Sequence, residues 1–274
     1  MDRKQYWNRD YVNYWKEVTD DANEKGAITT VPKEQAGDYK VPGERMLINL
    51  FEIIKADKGE KLLDYGCGFG RFYPYLSERS DYYGIDISQA MIEECQRCYP
   101  RAKERFLAAE GEELPFSDDV FSKIICFGVF DACYQERALK EMIRVCKIGG
   151  EILITGKNIN YYADDKQALI AEEAARKKGH PNYFTDVKEM LRQVANNVEV
   201  IEARYFLKRG DFAQDRYVND MPKEFYEWAL VLRKIGCNSP VKFKKFSDEY
   251  SNTWKKLMEN QRVAEGRGVL WEPI

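Results

Sequence analysis

Apolar residues are spaced along residues 46–156 so that helices and strands alternate. Short apolar runs of about four to eight residues predict buried strands, and apolar residues three or four positions apart predict helices. The alternation predicts an α/β fold with a doubly wound, mostly parallel sheet, and ligand at the carboxyl ends of its strands. The predicted elements are helix 46–54, strand 61–65, helix 71–79, strand 82–86, helix 88–98, strand 104–108, strand 122–128, helix 135–146 and strand 150–156.

Two segments around this alternation are predicted from their own patterns. Residues 1–45 carry Trp7, Tyr11 and Trp15 at helical spacing, and we expect this segment to pack on the domain. The main domain is predicted to span residues 46–234, with an insertion at about 158–180 after the fifth strand. A helix rich in alanine and charge is predicted there over 164–178, and a further helix over 186–195, with Thr185 as its N-cap.

Residues 235–274 are predicted to form a C-terminal extension. Its apolar residues are spaced as one face of a helix, and such a face has to be buried. We expect it to pack on its own domain or, as the second choice, to form a homodimer contact. The residues of this face are Phe246, Tyr250, Trp254, Leu257 and Met258.

A glycine-rich loop follows the strand at 61–65. Gly66, Gly68 and Gly70 alternate after Asp64, and glycine permits positive φ and a close approach of a ligand to the backbone. A strand, a glycine loop and a helix in this order predict a nucleotide-type site. The spacing matches neither the dinucleotide fingerprint nor the phosphate-binding loop with its lysine. Asp64 would repel a pyrophosphate but suits a cationic ammonium group.

A second acid follows the next strand, and the two segments together carry a resemblance. Asp86 lies 20 residues after Gly66, where a doubly wound fold places the carboxylate that binds ribose hydroxyls. Two further elements follow in order, the segment 109–116 and the pair Gly149-Gly150 that ends a predicted helix. Together with the glycine loop and the Asp86 segment they make four ordered elements. With these, the chain resembles the class I S-adenosylmethionine-dependent methyltransferases, especially those acting on small molecules.

The resemblance implies a Rossmann-like sheet of seven strands that is closed by an antiparallel hairpin from residues 198–205 and 225–232. It implies S-adenosylmethionine as the cofactor and no metal. Asp64, Gly66 and Gly68 would face the methionine part, which Phe127 would border, with Asp86 at the ribose and residues 110 and 111 at the adenine. Residues 1–45 would fold over the cofactor as a lid and form part of the substrate pocket. The predicted cofactor residues are Asp64, Gly66, Cys67, Gly68, Asp86, Ile87, Glu110, Gly111 and Phe127.

His180 and Tyr134 are the candidate catalytic residues. His180 is the only histidine, and imidazole is the side chain whose ordinary pKa lies closest to neutrality. A single histidine is often structural, but its position resembles a His or Arg near the acceptor in small-molecule methyltransferases. Both interpretations remain open. Tyr134 is a weaker candidate because tyrosine is plentiful in this chain.

Composition narrows the classes of partner. A net charge of −3 and a pI near 5.6 provide no broadly basic surface, so nucleic acid is not an expected partner. The seven cysteines are odd in number and scattered, which is typical of free thiols in a reducing compartment. The chain has neither an apolar stretch of ~18 residues nor an apolar leader, so we expect a cytoplasmic protein without a membrane span.

These patterns predict an enzyme that transfers a methyl group to an oxygen or, as the second choice, a nitrogen of a small molecule. A faint likeness of Tyr6–Arg9 to the start of bacterial methyltransferases that act on glycans or metabolites suggests a sugar, a nucleotide-sugar or a secondary metabolite. The alternative is a non-catalytic S-adenosylmethionine-binding protein or partner subunit. Formation of S-adenosylhomocysteine with any acceptor would separate the two.

Overall fold

A seven-stranded sheet forms the centre of the protein. The computed structural model describes residues 3–10, 12–24, 43–236 and 242–253, together with 255, 257 and 260. The strands of the whole described chain are β1 Lys61–Tyr65, β2 Asp81–Asp86, β3 Phe106–Ala108, β4 Phe121–Cys126, β5 Cys146–Lys157, β6 Tyr183–Thr185, β7 Val198–Phe206, β8 Glu227–Lys234 and β9 Ser247–Glu249.

The order of strands across the main sheet is β3-β2-β1-β4-β5-β8-β7. β1 to β5 run parallel to one another, whereas β8 is antiparallel to both β5 and β7. The predicted doubly wound sheet of seven strands with an antiparallel closing hairpin is therefore confirmed. β5 begins earlier than predicted, at Cys146, and its pairing with β4 contains a register shift.

Helices cover both faces of the sheet, because its central strands are apolar on both sides. Along β5, Ile152 and Ile154 pack with Leu139 on one face, while Leu153 packs with Leu50 on the other. The helices are α1 Arg3–Gln5, which continues into a π-helical turn at Tyr6–Asp10, α2 Val12–Glu24, α3 Glu44–Ile53, α4 Tyr73–Ser77, α5 Gln89–Cys98, α6 Gln135–Val145, α7 Lys166–Lys177 and α8 Val187–Val194. None of the helices in the described ranges is long and apolar enough to cross a bilayer.

The prediction that the C-terminal helix face begins at Phe246 is wrong. Residues 247–249 form β9, which pairs antiparallel with β6, and helical residues appear only from Asn252. Phe246 is buried in the main core beside this strand. Pairing with β6 therefore overrides the helical spacing of the apolar residues. Trp254 and Met258 lie outside the described residues, and the homodimer contact stays a prediction.

The N-cap of α8 is Asp186 and not the predicted Thr185. The Asp186 carboxylate accepts a hydrogen bond from the Glu189 N–H at 3.0 Å, whereas Thr185 belongs to β6 and donates to Gln135 Oε1 at 2.9 Å. Both residues are common N-caps, and the pairing of β6 decides between them.

The six cysteines in the described ranges are free thiols, of which only Cys98 is exposed. Cys67 is buried in the loop after β1, and the Cys95 thiol donates to the Gly68 carbonyl at 3.2 Å.

Candidate active site

A cavity of about 210 Å³ lies at the carboxyl ends of β1, β2 and β4. Its floor is formed by the residues that follow these strands, and Arg3, Trp7, Trp15 and Thr19 of the N-terminal helices line it from the other side. The cavity occupies the edge where a doubly wound sheet binds its ligands.

The glycine loop after β1 shapes one wall. Gly66 and Gly68 have φ of 80° and 53°, values that favour glycine. The N–H groups of Gly66 and Cys67 both donate to the Ile85 carbonyl, at 2.9 and 2.8 Å, which ties the loop to β2. A Cβ atom on Gly66 would lie 2.5 Å from the methyl groups of Val129. Bare backbone is therefore required for this wall.

Asp86, at the end of β2, holds the loop and lines the cavity. Its Oδ2 accepts from the Gly68 N–H at 3.0 Å, and its Oδ1 accepts from the Ser88 N–H at 2.9 Å. Burial raises the pKa of the carboxyl, and these backbone donors oppose that rise. Each oxygen keeps a lone pair for a further donor, as binding to ribose hydroxyls requires. Ile87, which follows Asp86, also lines the cavity.

Asp64 does not line the cavity. It is 1% exposed and accepts a hydrogen bond from the Tyr82 hydroxyl at 2.7 Å. Burial is the main cause that raises its pKa to about 7. The structure therefore does not bring the Asp64 carboxylate to the ligand space, where the resemblance predicted it to meet an ammonium group.

The region expected to hold adenine contains Gly111, but Glu110 is exposed and lies outside the cavity lining. Glu112 lines the cavity instead and is buried. Its carboxylate accepts hydrogen bonds from both terminal nitrogens of Arg3. It also accepts a hydrogen bond from the Tyr134 N–H at 2.8 Å. The three glutamates at 110, 112 and 113 lie in a turn without strand or helix periodicity, so the sequence carries no signal that separates them.

Phe127 lines the cavity, and its role beside the methionine part stays a prediction. It packs against Phe72, with ring centroids 6.0 Å apart, and against Phe212 at 5.6 Å. These contacts connect the cavity wall to the hydrophobic core on the α3 side of the sheet.

The N-terminal segment is held across the cavity by polar contacts at several points. Arg3 pairs with Glu112 and also donates to the Ala132 carbonyl at 3.2 Å. Asn8 Oδ1 accepts from the Ser88 hydroxyl at 3.2 Å. The sequence motifs did not predict the Arg3 contact, since Arg3 lies 109 residues from Glu112 along the chain.

His180 lies beyond the cavity lining, one side chain away. Its Nδ1 is 2.8 Å from the Tyr6 hydroxyl, and its ring meets Trp7 edge-on at 5.3 Å. Trp7 itself lines the cavity. Burial, followed by the nearby Lys157 ammonium, lowers the His180 pKa to about 4, so the imidazole is neutral at pH 7.

Tyr134 also lies outside the lining and is 46% exposed. The Arg3 guanidinium lies over its ring, 4.6 Å from the centroid. The structure thus separates the two predicted catalytic side chains from the cofactor residues, with Arg3 and Trp7 in between.

Two side chains with buried donor atoms in the cavity wall were not predicted. Arg71 and Trp15 line the cavity, and Arg71 Nε, Arg71 Nη2 and Trp15 Nε1 have no acceptor among the described residues. Burial lowers the Arg71 pKa to about 10, so the guanidinium stays charged at pH 7. The only signal in the sequence is that Arg71 directly follows the last glycine of the loop.

The sheet order and the glycine loop next to Asp86 define a Rossmann-like nucleotide-binding protein. Residues 63–154 match the family model described as a methyltransferase domain. The chain is 32% identical over 184 residues to a phthiotriol/phenolphthiotriol dimycocerosates methyltransferase of Mycobacterium ulcerans, covering 65% of this chain and 67% of that protein. The chain belongs to the class I S-adenosylmethionine-dependent methyltransferases.

Two other relatives show how far the likeness extends. The chain is 31% identical over 123 residues to a phosphatidylethanolamine N-methyltransferase of Cereibacter sphaeroides, covering 43% of this chain and 59% of that protein. The structure of the [4+2]-cyclase SpnF superposes with a TM-score of 0.52 at 19% identity, covering 70% of this chain and 82% of that one, which shows the fold alone. The chain spans about half to two thirds of the length of the first curated relatives that it matches.

The cofactor of this family is S-adenosylmethionine, and the cavity fits it. The glycine loop offers bare backbone, and Asp86 has free lone pairs for hydroxyl groups. The Arg71 guanidinium, whose Nε and Nη2 have no acceptor among the described residues, matches a carboxylate.

Proposed function

We propose that the protein transfers a methyl group from S-adenosylmethionine to a small molecule. The observation that carries this proposal is the cavity in which the bare backbone of Gly66 and Gly68 meets the Asp86 carboxylate. When bound, S-adenosylmethionine supplies a methyl group that its sulfonium already activates. The chain therefore has mainly to position the acceptor, an effect worth up to about 7–11 kcal/mol in well-oriented systems.

The residues of the site divide this task. Asp86 accepts hydrogen bonds from the hydroxyl groups of the ribose. The glycine loop lets the ligand approach the backbone, and Phe127 supplies an apolar wall. Trp7 and Trp15 of the N-terminal helices line the cavity with aromatic rings. Where a bound ligand and these rings exclude water, the electrostatic contacts inside the site become stronger.

We propose an oxygen acceptor first and a nitrogen acceptor second, on a sugar, a nucleotide-sugar or a secondary metabolite. His180 is the proposed base for a hydroxyl acceptor, and its neutral imidazole can accept a proton at pH 7. A pKa of about 4 makes it a weak base, so its deprotonated form dominates down to that pH. The relatives named for a lipid substrate support the small-molecule class.

The second candidate function is a non-catalytic S-adenosylmethionine-binding protein or partner subunit. It is favoured by the position of His180 and Tyr134, since neither side chain lines the cavity. A base is not required for every methyl transfer, which keeps the enzyme as the preferred proposal.

Product formation tests the two candidates. The full chain is incubated with S-adenosylmethionine carrying a labelled methyl group and with hexoses, nucleotide-sugars, phenols and amines, and S-adenosylhomocysteine is measured by mass spectrometry. We expect release with a subset of acceptors, its loss in Asp86→Ala and its retention in Glu93→Gln, an exposed control on α5. Binding of the cofactor without turnover on any acceptor would favour the second candidate, and absence of binding would overturn both.

A further inference from the structure

Glu227 is a carboxylate at the ligand-binding edge of the sheet for which the described residues supply no donor. It is the first residue of β8, and because β8 runs antiparallel to β5, it lies at the carboxyl end of β5. Its side chain is half-buried and makes no hydrogen bond or ion pair with the part of the chain that the structure describes. Taking an unpaired carboxylate out of water is costly, so the position calls for a donor from elsewhere.

The cross-strand neighbour of Glu227 is a lysine, Lys157, that does not pair with it. Oppositely charged side chains at such positions ordinarily interact. The lysine ammonium lies instead beside three other oxygens, Glu172 Oε1 at 3.0 Å, Asp131 Oδ2 at 3.4 Å and Asn182 Oδ1 at 3.2 Å. These oxygens match the three protons of the ammonium. The protein therefore leaves the carboxylate open although a cation stands opposite.

The same lysine connects Glu227 to the cofactor cavity. Asp131, which Lys157 contacts, directly precedes Ala132 of the cavity lining. Burial is the largest influence on the pKa of both Glu227 and His180, and the Lys157 ammonium lowers both values. The open carboxylate thus lies on the flank of the cavity that holds the proposed base. The proposed function requires the acceptor on this flank.

A guanidinium stands near the open carboxylate. Arg209 is fixed at two points, since its N–H donates to the Asp165 carboxylate at 2.7 Å and its Nη1 donates to the Tyr226 hydroxyl at 3.0 Å. Its Nε and Nη2 have no acceptor within the described ranges. Its charge opposes the rise of the Glu227 pKa that burial causes, yet the two groups form no ion pair. Arg209 also lines an open groove of about 770 Å³ between the connections that follow β5 and β7.

The chemistry of this pair selects the ligand group. The carboxylate only accepts hydrogen bonds and the guanidinium only donates them, whereas a hydroxyl group does both. A phosphate would be repelled by Glu227 and an ammonium by Arg209. A sugar ring carries neighbouring hydroxyl groups in a fixed arrangement and has no charge. The pair therefore suits a neutral ring with adjacent hydroxyl groups.

We propose that Glu227 and Arg209 bind neighbouring hydroxyl groups of a sugar acceptor that enters through the open groove. The inference rests on the proposed function and deepens it, because it assigns the acceptor side of the same site and narrows the acceptor to a neutral sugar ring. A hydrogen bond to an ionised carboxylate is about twice as strong as one between neutral groups. Protonation of Glu227 should therefore weaken binding of the sugar.

The pH at which binding weakens follows from the groups around the carboxyl. Burial is the main cause that raises the Glu227 pKa to about 7, and the charges acting on it are those of Arg209, Lys157, Asp131 and Glu172. Against the effect of burial, the ion pair between Lys157 and Glu172 raises the pKa of the lysine and lowers that of the glutamate. Both keep their charge near neutrality, so Glu227 is the group that titrates there. Affinity for the sugar should be high above pH 7 and fall below it.

Calorimetry on the complex with S-adenosylhomocysteine tests the pair. The probes are the methyl α-glycosides of glucose, galactose, mannose and rhamnose, titrated into the full chain as wild type, Glu227→Gln and Arg209→Gln. Glu199→Gln and Arg192→Gln, which change exposed members of surface ion pairs, are the matched controls. A hydrogen bond to a charged group corresponds to about 10–150-fold in affinity.

We expect at least one glycoside to bind the wild type and to bind Glu227→Gln and Arg209→Gln more weakly by that factor, with the controls and the affinity for S-adenosylhomocysteine unchanged. The wild-type Kd for the glycoside should rise as the pH falls through about 7, and Glu227→Gln should lack this dependence. Equal binding by all variants, or no binding of any glycoside to a chain that binds S-adenosylhomocysteine, would overturn the sugar subsite and leave the methyltransferase proposal standing. Failure to bind S-adenosylhomocysteine would overturn both.

Thermal unfolding separates this role from support of the fold. Glu227→Gln should melt no lower than the wild type, because it removes a half-buried charge that has no partner. Glu227→Asp keeps the charge on a shorter side chain, so it should bind the glycoside more weakly and retain a pH dependence. A fall in the Tm of Glu227→Gln together with a loss of S-adenosylhomocysteine binding would mean that Glu227 serves the fold, and would contradict the proposal.

Discussion

The ion pair between Lys157 and Glu172 connects the insertion to the sheet. Lys157 Nζ lies 3.0 Å from Glu172 Oε1, and Glu172 is 1% exposed. The Tyr226 hydroxyl donates to the same oxygen, and Asn182 Nδ2 donates to Oε2. The predicted helix at 164–178 is therefore not a purely solvated helix, because α7 buries this carboxylate against the end of β5.

We predict that Glu172→Gln destabilises the protein substantially. Both carboxylate oxygens accept hydrogen bonds, so an amide NH₂ in place of either oxygen would face a donor. Lys157 would keep its contact with Asp131 at 3.4 Å and its hydrogen bond to Asn182 Oδ1 at 3.2 Å. Breaking a buried ion pair costs about 3–5 kcal/mol, and we expect the lower end because Asp131 remains. For a chain of this size, about 3 kcal/mol corresponds to a fall in Tm of about 6–12 °C.

Thermal unfolding followed by circular dichroism measures this effect, with Glu173→Gln as the matched control on the same helix. Glu173 pairs with Arg176 on the surface, where an ion pair contributes about 0–1 kcal/mol. Burial acts to raise the pKa of the Glu172 carboxyl, but the Lys157 ammonium and the hydrogen-bond donors outweigh it and hold the pKa below its ordinary value. Its contribution is thus complete above pH 4.5 and is lost as the pH falls through the folded pKa. If Glu172→Gln and Glu173→Gln had the same Tm at pH 7, the stabilising role of the buried ion pair would be refuted.

Three predictions concern the cavity. Gly68→Val should abolish binding of S-adenosylhomocysteine in calorimetry, because its side chain would block the close approach of the ligand to the backbone. The fold should survive, because the nearest atom to an added Cβ is Met91 Sδ at 4.0 Å, although φ is 53° there. Undiminished affinity would contradict this role of the loop. Asp86→Ala should cost about 1.5–3 kcal/mol of affinity for the same ligand, and a ribose bound away from Asp86 in a complex would count against it. His180→Ala should lower the rate by about 10²–10⁴-fold without weakening cofactor binding, and the wild-type rate should rise with pH through about 4; normal turnover of the variant would leave positioning as the whole effect.

The strands and the glycine loop could be predicted because their signals are local. The bounds of β1 agree with the prediction, because a short, mostly apolar segment that ends at a glycine-rich loop favours a buried strand. Gly66 needs positive φ for its turn, which only the residue type reveals. The spacing from Gly66 to Asp86 follows from the length of one helical crossover, so the position of Asp86 at the end of β2, beside the loop, was also predictable.

The remaining features depend on contacts between distant parts of the chain. Glu112 and not Glu110 reaches the cavity, because Arg3 binds it from the N-terminus. Phe246 stands beside a strand because β6 offers an unpaired edge. The low His180 pKa results from burial against elements far away in sequence. None of these partners can be recognised from residue spacing alone.

The cysteine of the glycine loop, Cys67, and the exposed Cys98 differ in how readily their thiols react. Burial raises the pKa of the Cys67 thiol well above its ordinary value, and the thiolate is the form that reacts. Cys98 is the exposed thiol of the described ranges, so an alkylating reagent or a peroxide meets it first. Cys67 is buried but lines the cavity, so a reagent reaches it from that cavity. Its rate of modification therefore measures how accessible the cavity is to small molecules.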